Sequence, residues 1–217
     1  MPDLDAVVFD MDGTLFDSSQ VVPAAFADTI RALGGPSLTR EEVIGSYVIG
    51  PPGPIMAHFL GRPVTAEELD AYHARLAEEA AAQRLRPYPG VEDALDALAP
   101  HVALGVFTNA DTGNAAVLLG AAGLRDRFAA VVGADEVAPR FKPEPDGLLL
   151  ACERLGVRAA RTAYVGDSPL DARVARRAGA MAVAAAWGHL HDDGADADVV
   201  VRDPRRLPAA LAPAGNA

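Results

Sequence analysis

The sequence predicts an α/β fold: a Rossmann-like, mostly parallel sheet sandwiched by helices, with an all-helical cap inserted after the first strand. Three observations predict it. A short apolar run at residues 6–9 is typical of a buried strand. Residues 17–86 show only helical patterns. From residue 91 onward helix and strand patterns alternate, as in a parallel sheet with helices on both faces.

The cap is predicted from helix start and stop signals. Asp17 or Ser18 can cap a first helix. Thr65 and Glu68 have the spacing of a capping box, which opens a long helix. Residues 49–54 are too rich in proline and glycine for regular structure. The predicted cap helices cover residues 20–33, a segment that begins after Thr39, residues 55–60, and a segment from Thr65 to about residue 84.

In the remainder of the chain, each predicted strand is a short apolar run that ends at polar or glycine residues. The strands cover residues 6–9, 102–107, 129–133, 162–165, 181–186 and 198–201, and the helices cover residues 91–98, 112–122, 146–155 and 170–178. We expect the Ala/Pro-rich tail from Pro204 to be peripheral. The chain is thus divided into a core, residues 1–16 and 87–217, and a cap, residues 17–86.

The composition is that of a globular protein, with 50% hydrophobic and 23% charged residues among 217. The net charge of −11 argues against nucleic acid or an anionic membrane as a partner, and no apolar run could span a bilayer. Acidic residues precede the first strand, so we expect no signal peptide. The single cysteine, Cys152, fits a reducing compartment, the cytoplasm, and is interpreted as a small buried hydrophobe.

Polar residues collect where predicted strands end: Asp10, Asp12, Thr108, Asn109, Asp167 and Asp171. Residues two apart in an extended chain point the same way, so Asp10 and Asp12 share one side. Asp171 lies one helical turn after Asp167, so both can face the same crevice. Ligands of open parallel sheets bind at the carboxyl ends of the strands. We therefore expect these side chains to meet there.

Lys142 is the only lysine, although lysine and arginine together number 19. Since arginine supplies the positive charge at the other basic positions, a lysine here indicates a need for a compact ammonium group. Nearby prolines at 143 and 145 argue for a positioned side chain. A lysine retained at the surface by chance is the alternative.

Four carboxylates in one crevice need a counter-charge, because two of them about 4 Å apart repel by ~4 kcal/mol at an effective dielectric constant near 20. A divalent cation supplies it, and oxygen ligands without a His or Cys cluster favour Mg²⁺. Simpler interpretations remain possible for two of these acidic residues. Asp12-Gly13 can be a plain turn, and Asp171 can be a charge that favours a helix N-terminus.

Four motifs occur in order: Asp10-Met11-Asp12-Gly13-Thr14, Thr108-Asn109, Lys142-Pro143, and Gly166-Asp167-Ser168-Pro169-Leu170-Asp171. In these motifs and their spacing the chain resembles the haloacid dehalogenase superfamily, specifically its phosphatases with a small helical (C1-type) cap. The resemblance covers nearly the whole chain and includes the framework segments at residues 16–18, 88–91 and 187–188.

The resemblance implies a role for each motif. Asp10 would attack phosphorus and form an aspartyl-phosphate. Asp12 would protonate the leaving alcohol and later deprotonate water. Thr108 and Asn109 would bind the phosphoryl oxygens, and Lys142 would stabilise the nucleophile and the transferring group.

The resemblance also implies a metal site and narrows the reaction class. Mg²⁺ would be held by the Asp10 side chain, the Asp12 backbone carbonyl and Asp167, with Asp171 in support. Asp12 favours phosphoryl chemistry, because the dehalogenases of the superfamily lack this residue. The phosphonate-cleaving relatives use a cap lysine, which is absent from residues 17–86.

The expected substrate is a small phosphorylated metabolite. Residues 48–52 resemble those of phosphoglycolate phosphatases, which makes 2-phosphoglycolate the leading candidate, although many relatives carry a lysine where this chain has Ala110-Asp111. Arg62, Arg84 and Arg86 are candidates to bind a substrate carboxylate or second phosphate, and a solvated position on the cap surface is the alternative for each. The alternatives are a sugar phosphate, nucleotide or pyrophosphate substrate, a β-phosphoglucomutase-like phosphomutase, or a non-catalytic binding domain. A monomer or homodimer is expected.

Overall fold

The computed structural model describes residues 3–193 and 196–212. Residues 1–2, 194–195 and 213–217, assigned to the core by the sequence, lie outside the described residues. The strands of the described part are β1 (Ala6–Phe9), β2 (Ala103–Phe107), β3 (Ala130–Val132), β4 (Thr162–Gly166), β5 (Met181–Ala185) and β6 (Val199–Val201). Its α-helices are α1 (Val21–Ala32), α2 (Arg40–Gly45), α3 (Pro52–Leu60), α4 (Ala66–Ala82), α5 (Val91–Leu98), α6 (Thr112–Ala121), α7 (Asp146–Leu155), α8 (Pro169–Ala178) and α9 (Leu207–Leu211).

The described strands form one sheet in the order β3-β2-β1-β4-β5-β6, and all neighbours are parallel. The predicted α/β fold is thereby confirmed. All four residues of β1 are buried, because a central parallel strand is covered on both faces. Phe9 pairs with Val106 of β2 and with Val165 of β4, so these three strands end at the same level.

Hydrophobic clusters cover both faces of the sheet. Val7 packs on one face in a cluster that includes Leu95 of α5, whereas Val8 packs on the other face with Leu148 of α7 and Tyr164 of β4. Alternate residues of β1 therefore serve opposite layers, as the pleat requires. This is the predicted sandwich of helix, sheet and helix.

The helices between β1 and α5 pack on each other and on the sheet domain. α1 packs mainly against α4, with the ring centroids of Phe26 and Tyr72 4.5 Å apart. Thr39 and Thr65 open α2 and α4 with complete capping boxes. α4 also contacts α6, which follows β2, so the helical block lies against the carboxyl-end side of the sheet.

Two features differ from the sequence-based expectation. α3 begins at Pro52, earlier than predicted, because proline is well tolerated in the first turn of a helix. The expected peripheral tail instead contains α9, whose Leu207 and Leu211 are buried and whose helix packs on α5. The Ala/Pro-rich composition did not indicate a buried helix here, because two leucines four residues apart are enough to bury one face of a short helix.

Cys152 is buried beside Thr162, with the sulfur 3.5 Å from the hydroxyl oxygen. Burial raises the pKa of its thiol, as fits a packing residue rather than a nucleophile. Within the described ranges, no helix combines the length and the apolar character that crossing a bilayer requires.

Candidate active site

The carboxylates that the sequence places after β1 and β4 meet at the carboxyl edge of the sheet. The backbone N–H of Asp10 donates to Val165 O at 2.8 Å, which extends the β1–β4 pairing by one residue. Carboxylate oxygens of Asp10, Asp167 and Asp171 lie within 4.8 Å of one another, and all three residues are buried. The common level at which β1 and β4 end produces this cluster.

Lys142 lies within the cluster, with its side chain 5% exposed. Its Nζ donates to Asp10 Oδ1 at 2.5 Å and to Asp171 Oδ1 at 2.8 Å. Its backbone N–H donates to Asn109 Oδ1 at 3.0 Å, so the residue after Thr108 holds the lysine-bearing loop. The one lysine of the chain is a buried counter-charge, and the chance surface lysine is excluded.

Asp171 is held by its own helix terminus and by β4. Ser168 donates to Asp171 Oδ2 from its backbone N–H at 3.0 Å and from its hydroxyl at 2.6 Å, which caps α8. The Tyr164 hydroxyl lies 3.3 Å from Asp171 Oδ1. Gly166 permits this approach, because a Cβ there would lie 2.3 Å from Asp171 Cγ. Both oxygens of Asp171 are therefore engaged within the protein.

Asp167 keeps one oxygen free. Its Oδ2 accepts a hydrogen bond from the Leu190 backbone N–H at 2.9 Å, whereas its buried Oδ1 has no protein partner. Gly13 passes beside it with φ +81°, and a Cβ at Gly13 would lie 2.3 Å from Asp167 Oδ2. Trp187 Nε1 donates to Thr14 O at 2.9 Å and links the end of β5 to this turn.

The cluster perturbs its own ionisation. Burial, with Asp171 and Asp12 adding repulsion, raises the pKa of Asp10 to about 7 against the attraction of Lys142. Burial, followed by repulsion from Asp10 and Asp171, raises the pKa of Asp167 to about 8. Burial opposes the charge on Lys142, but the two contacting carboxylates outweigh it and raise its pKa. The ammonium therefore remains protonated.

Asp12 has a buried Oδ1 without a protein partner, and burial raises its pKa despite a hydrogen bond with Ser18. The pKa values of Asp10 and Asp12 are therefore both raised in the metal-free protein. The cause is shared desolvation. A bound cation would favour the ionised form of Asp10.

The oxygen donors of this cluster fit a metal ion. The set is all carboxylate, it is buried, and Asp167 Oδ1 has no partner. Hard oxygen donors of this kind suit Mg²⁺ or Ca²⁺ rather than a soft transition metal. The acidic cluster of Asp10, Asp167 and Asp171 could therefore bind a metal.

A cavity of about 120 Å³ opens over the cluster, between the helical block and the sheet. Asp10, Asp12, Thr108, Asn109 and Lys142 line it, so these five predicted site residues share one space. Thr108 is buried, and its Oγ1 accepts from the Ala110 backbone N–H at 3.1 Å. Asp167 and Asp171 lie directly behind this lining.

The predicted arginines do not share this space. Arg62 binds both carboxylate oxygens of Glu68 at the outer surface, at 2.9 and 2.6 Å. Arg84 and Arg86 are exposed and do not line the cavity. Their place within the predicted cap made them candidates, but all three lie in exposed turns or loops.

Sequence reasoning missed two contacts between the helical block and the core. His73 Nε2 lies 2.8 Å from Asp111 Oδ2, and Asp111 Oδ1 also caps α6 by accepting from the Asn114 backbone N–H at 2.8 Å. The side-chain amide of Asn114 lies 3.5 Å from the Tyr72 hydroxyl, inside the cavity lining. An aspartate before a helix predicts the cap, but nothing local predicts its partner 38 residues away.

A family model for haloacid dehalogenase-like hydrolases matches residues 4–179. The chain is 33% identical over 217 residues to the N-acetylmuramic acid 6-phosphate phosphatase of Pseudomonas aeruginosa, covering 94% of this chain and 93% of that protein. It is 35% identical over 213 residues to a phosphoglycolate phosphatase of Xanthomonas campestris pv. campestris, covering 93% and 94%. The solved structure of CbbY from Rhodobacter sphaeroides in complex with phosphate matches with a TM-score of 0.84, 27% identity and coverage of 96% and 99%.

These relatives span the whole architecture, including the helical block, and the buried acidic cluster lies where such a hydrolase needs its catalytic centre. The chain belongs to the haloacid dehalogenase-like hydrolases and is a phosphatase of that family.

Proposed function

We propose that the protein is a Mg²⁺-dependent phosphomonoesterase that acts through an aspartyl-phosphate on Asp10. The observation that carries the proposal is the position of Lys142, which lies 2.5 Å from Asp10 and 2.8 Å from Asp171. A buried ammonium in an otherwise acidic cavity opposes protonation of the nucleophilic carboxylate and attracts a phosphoryl dianion.

In this mechanism Asp10 attacks phosphorus with the oxygen that Lys142 does not occupy. Thr108 and Asn109 bind the phosphoryl oxygens. Asp12, whose burial raises its pKa, gives its proton to the leaving alcohol. Asp12 then takes a proton from the water that attacks the aspartyl-phosphate, so one residue serves both half-reactions.

Mg²⁺ would be held by the carboxylates of Asp10 and Asp167 and by the Asp12 backbone carbonyl. Asp167 Oδ1 is the buried oxygen without a protein partner, which supports its role as a direct ligand. Asp171 has both oxygens engaged by Lys142 and Ser168, so it would support the site through water. When bound, the cation neutralises charge on the phosphoryl group and on the carboxylates.

The substrate class is a small phosphorylated metabolite. 2-Phosphoglycolate comes first for testing, because it is the candidate from the sequence and several relatives are named phosphoglycolate phosphatases. Another relative is named for N-acetylmuramic acid 6-phosphate, so a larger sugar phosphate belongs in the same panel. The reducing cytoplasm, which suits the unpaired Cys152, is the proposed location.

We assign residues 17–86 to the cap and residues 1–16 and 87–217 to the core. The contacts that support this division are those of α1 with α4, which hold the cap together, and of α4 with α6, which hold it against the core. The cavity between the two lies over Asp10. Access of substrate would then require the cap to move.

Phosphate release from a panel of small phosphomonoesters tests the function. Purified protein with Mg²⁺ should hydrolyse at least one ester, and EDTA should abolish the reaction. Asp10→Asn should lose turnover while it stays folded, and Asp28→Asn, which changes a carboxylate paired with Arg31 on α1, is the matched control. Silence across the panel would favour a non-catalytic binding domain, and activity without metal would remove the cluster as a metal site.

A further inference from the structure

The cavity wall opposite the carboxylates is apolar and lacks cations. Val22, Phe26, Ile55 and Leu118 contribute to this wall. Among the described residues of the lining, Lys142 alone carries a positive charge, and two carboxylates already neutralise it. The part of the cavity that would receive the leaving group therefore offers no counter-charge.

Two polar groups interrupt this wall. Asn114 is 2% exposed, and its Oδ1 is buried without a hydrogen-bond partner. The amide nitrogen of the same residue lies 3.5 Å from the hydroxyl of Tyr72, which is fully buried. A buried acceptor without a partner is destabilising, so a ligand group that donates to Asn114 gains affinity by removing this penalty.

From this lining we infer that the preferred leaving group is small and uncharged and carries a hydroxyl that binds Asn114 and Tyr72; the inference rests on the proposed phosphatase function. A hydroxyl both donates and accepts, so it matches the Asn114 carbonyl oxygen and the Tyr72 O–H together. A carboxylate only accepts, and it would bring its charge into an apolar wall against the oxygen of Asn114.

Arginines around the cap do not change this conclusion. Arg40 is the cation on α2 that approaches Tyr47, and its Nε donates to Ser19 O at 2.7 Å, outside the cavity lining. Arg62 is bound to Glu68. 2-Phosphoglycolate, although first in sequence resemblance, thus has no cationic side chain in the lining for its carboxylate.

Hydrolysis-resistant phosphonates separate binding from turnover. Three compounds differ only at the end of a propyl chain: 3-hydroxypropylphosphonate, propylphosphonate and 3-phosphonopropionate. Calorimetric binding to the wild-type protein in Mg²⁺ should be tightest for the hydroxyl compound. Propylphosphonate should bind about tenfold more weakly, by the loss of one or two hydrogen bonds. 3-Phosphonopropionate should bind about a hundredfold more weakly, by burial of an unpaired charge.

Binding measurements on variants test which side chains recognise the hydroxyl group. Asn114→Leu should bring the hydroxypropyl and propyl compounds to similar affinity. Tyr72→Phe, which removes one hydroxyl, should reduce the difference in affinity between these two compounds, and it provides the test if Asn114→Leu does not fold. Arg40→Ala is the matched control and should leave all three affinities unchanged. Equal or tighter binding of 3-phosphonopropionate, its selective loss in Arg40→Ala, or no binding of any compound would overturn the inference.

Turnover of the matching esters distinguishes the two claims. Selective phosphonate binding without hydrolysis of hydroxyethyl phosphate would remove the proposed function and leave the recognition inference standing. Hydrolysis with a preference for 2-phosphoglycolate over hydroxyethyl phosphate would support the proposed function and overturn the recognition inference.

Discussion

Lys142 Nζ lies 2.5 Å from Asp10 Oδ1, so the only lysine of the chain contacts the first carboxylate after β1. Asp171 lies 2.8 Å away on the other side of the ammonium. The rings of Phe107 and Tyr164 each have a centroid 5.3 Å from Nζ, so two aromatic rings and two carboxylates surround the ammonium group. This arrangement favours a compact ammonium over a wider guanidinium.

Lys142→Met should lower kcat by a factor of about 100–1,000, as expected for loss of a charged group that stabilises the transition state. Lys142→Arg should also lose most activity, because the planar guanidinium does not fit a site built for an ammonium. Arg140→Lys, at an exposed position two residues away, is the control and should keep wild-type kinetics. Near-normal kcat in Lys142→Arg would contradict the steric argument.

Gly13→Ala should abolish metal binding and activity. The added methyl group would meet Asp167 Oδ2 at 2.3 Å, at a φ of +81° that already disfavours alanine. Gly34→Ala is the matched control, because its φ is +82° but its Cβ would meet nothing within 4 Å. The control should cost only about 1–2 kcal/mol of unfolding free energy. Equal losses of metal binding and activity in both variants would show that backbone strain alone causes the effect.

The stability of the metal-free protein should fall as pH rises through the neutral range. The folded-state pKa values of Asp10 and Asp167 are raised to about 7 and about 8. The folded protein therefore holds protons that the unfolded chain releases near its ordinary pKa of about 4. This contribution is fully present below about pH 4 and is lost as pH approaches 8.

Mg²⁺ should reverse that loss, because it stabilises the ionised carboxylates of the folded state. The increase in Tm on adding Mg²⁺ should be smallest near about pH 5 and largest above about pH 8. Asp167→Asn provides the control, since it removes one titrating group and one ligand, and its Tm should respond less to both pH and metal. A Mg²⁺ effect independent of pH would contradict the ionisation argument.

The pH–rate profile should reveal a required protonated group. Burial raises the pKa of Asp12, so its acid form persists above the usual range, and kcat/KM for alkyl phosphates should fall as pH rises past that pKa. The initial burst with p-nitrophenyl phosphate should fall less, because its leaving group needs no proton. Asp12→Asn should likewise reduce kcat/KM for alkyl phosphates more than it reduces the burst with p-nitrophenyl phosphate. Profiles of identical shape for both esters would argue against Asp12 as the acid.

The contact of His73 with Asp111 should contribute to holding α4 against α6. A double-mutant cycle with His73→Phe and Asp111→Asn, measured by denaturant unfolding, should give a coupling energy of about 0.5–1.5 kcal/mol. Asp111→Asn keeps a good N-cap for α6, so the cycle isolates the contact between helices. Zero coupling would show that packing of α4 alone joins the helical block to the core.

The sequence alone was sufficient for the fold class, since it depends on local patterns. Apolar runs with turn signals predicted β1 to β6, and Thr65 with Glu68 predicted the start of α4, as the structure confirms. α9 was missed because its burial depends on α5, which lies about a hundred residues earlier in the chain.

The site was predicted in the same way, with residue types at strand ends. Asp10, Asp12, Thr108, Asn109 and Lys142 line one cavity, although their catalytic roles remain proposals. The arginine candidates failed because Arg62, Arg84 and Arg86 lie in turns and loops outside the helices, and their exposed side chains do not line the cavity. Arg62 faces Glu68 at the surface, whereas Asn114, which attracted no notice in the sequence, lies in the cavity wall.

The sequence by itself predicted the chemistry of this protein, because its strand-end carboxylates and single lysine form four ordered motifs that resemble those of haloacid dehalogenase phosphatases. Tertiary structure alone decided which side chains line the cavity over Asp10. Parallel pairing of β1 with β2 and β4 brings Asp10 and Asp167 together, and packing of α4 on α6 closes an uncharged wall over them. Contacts between residues far apart in the chain leave no local pattern, which is why the cavity lining could be identified only in the folded molecule.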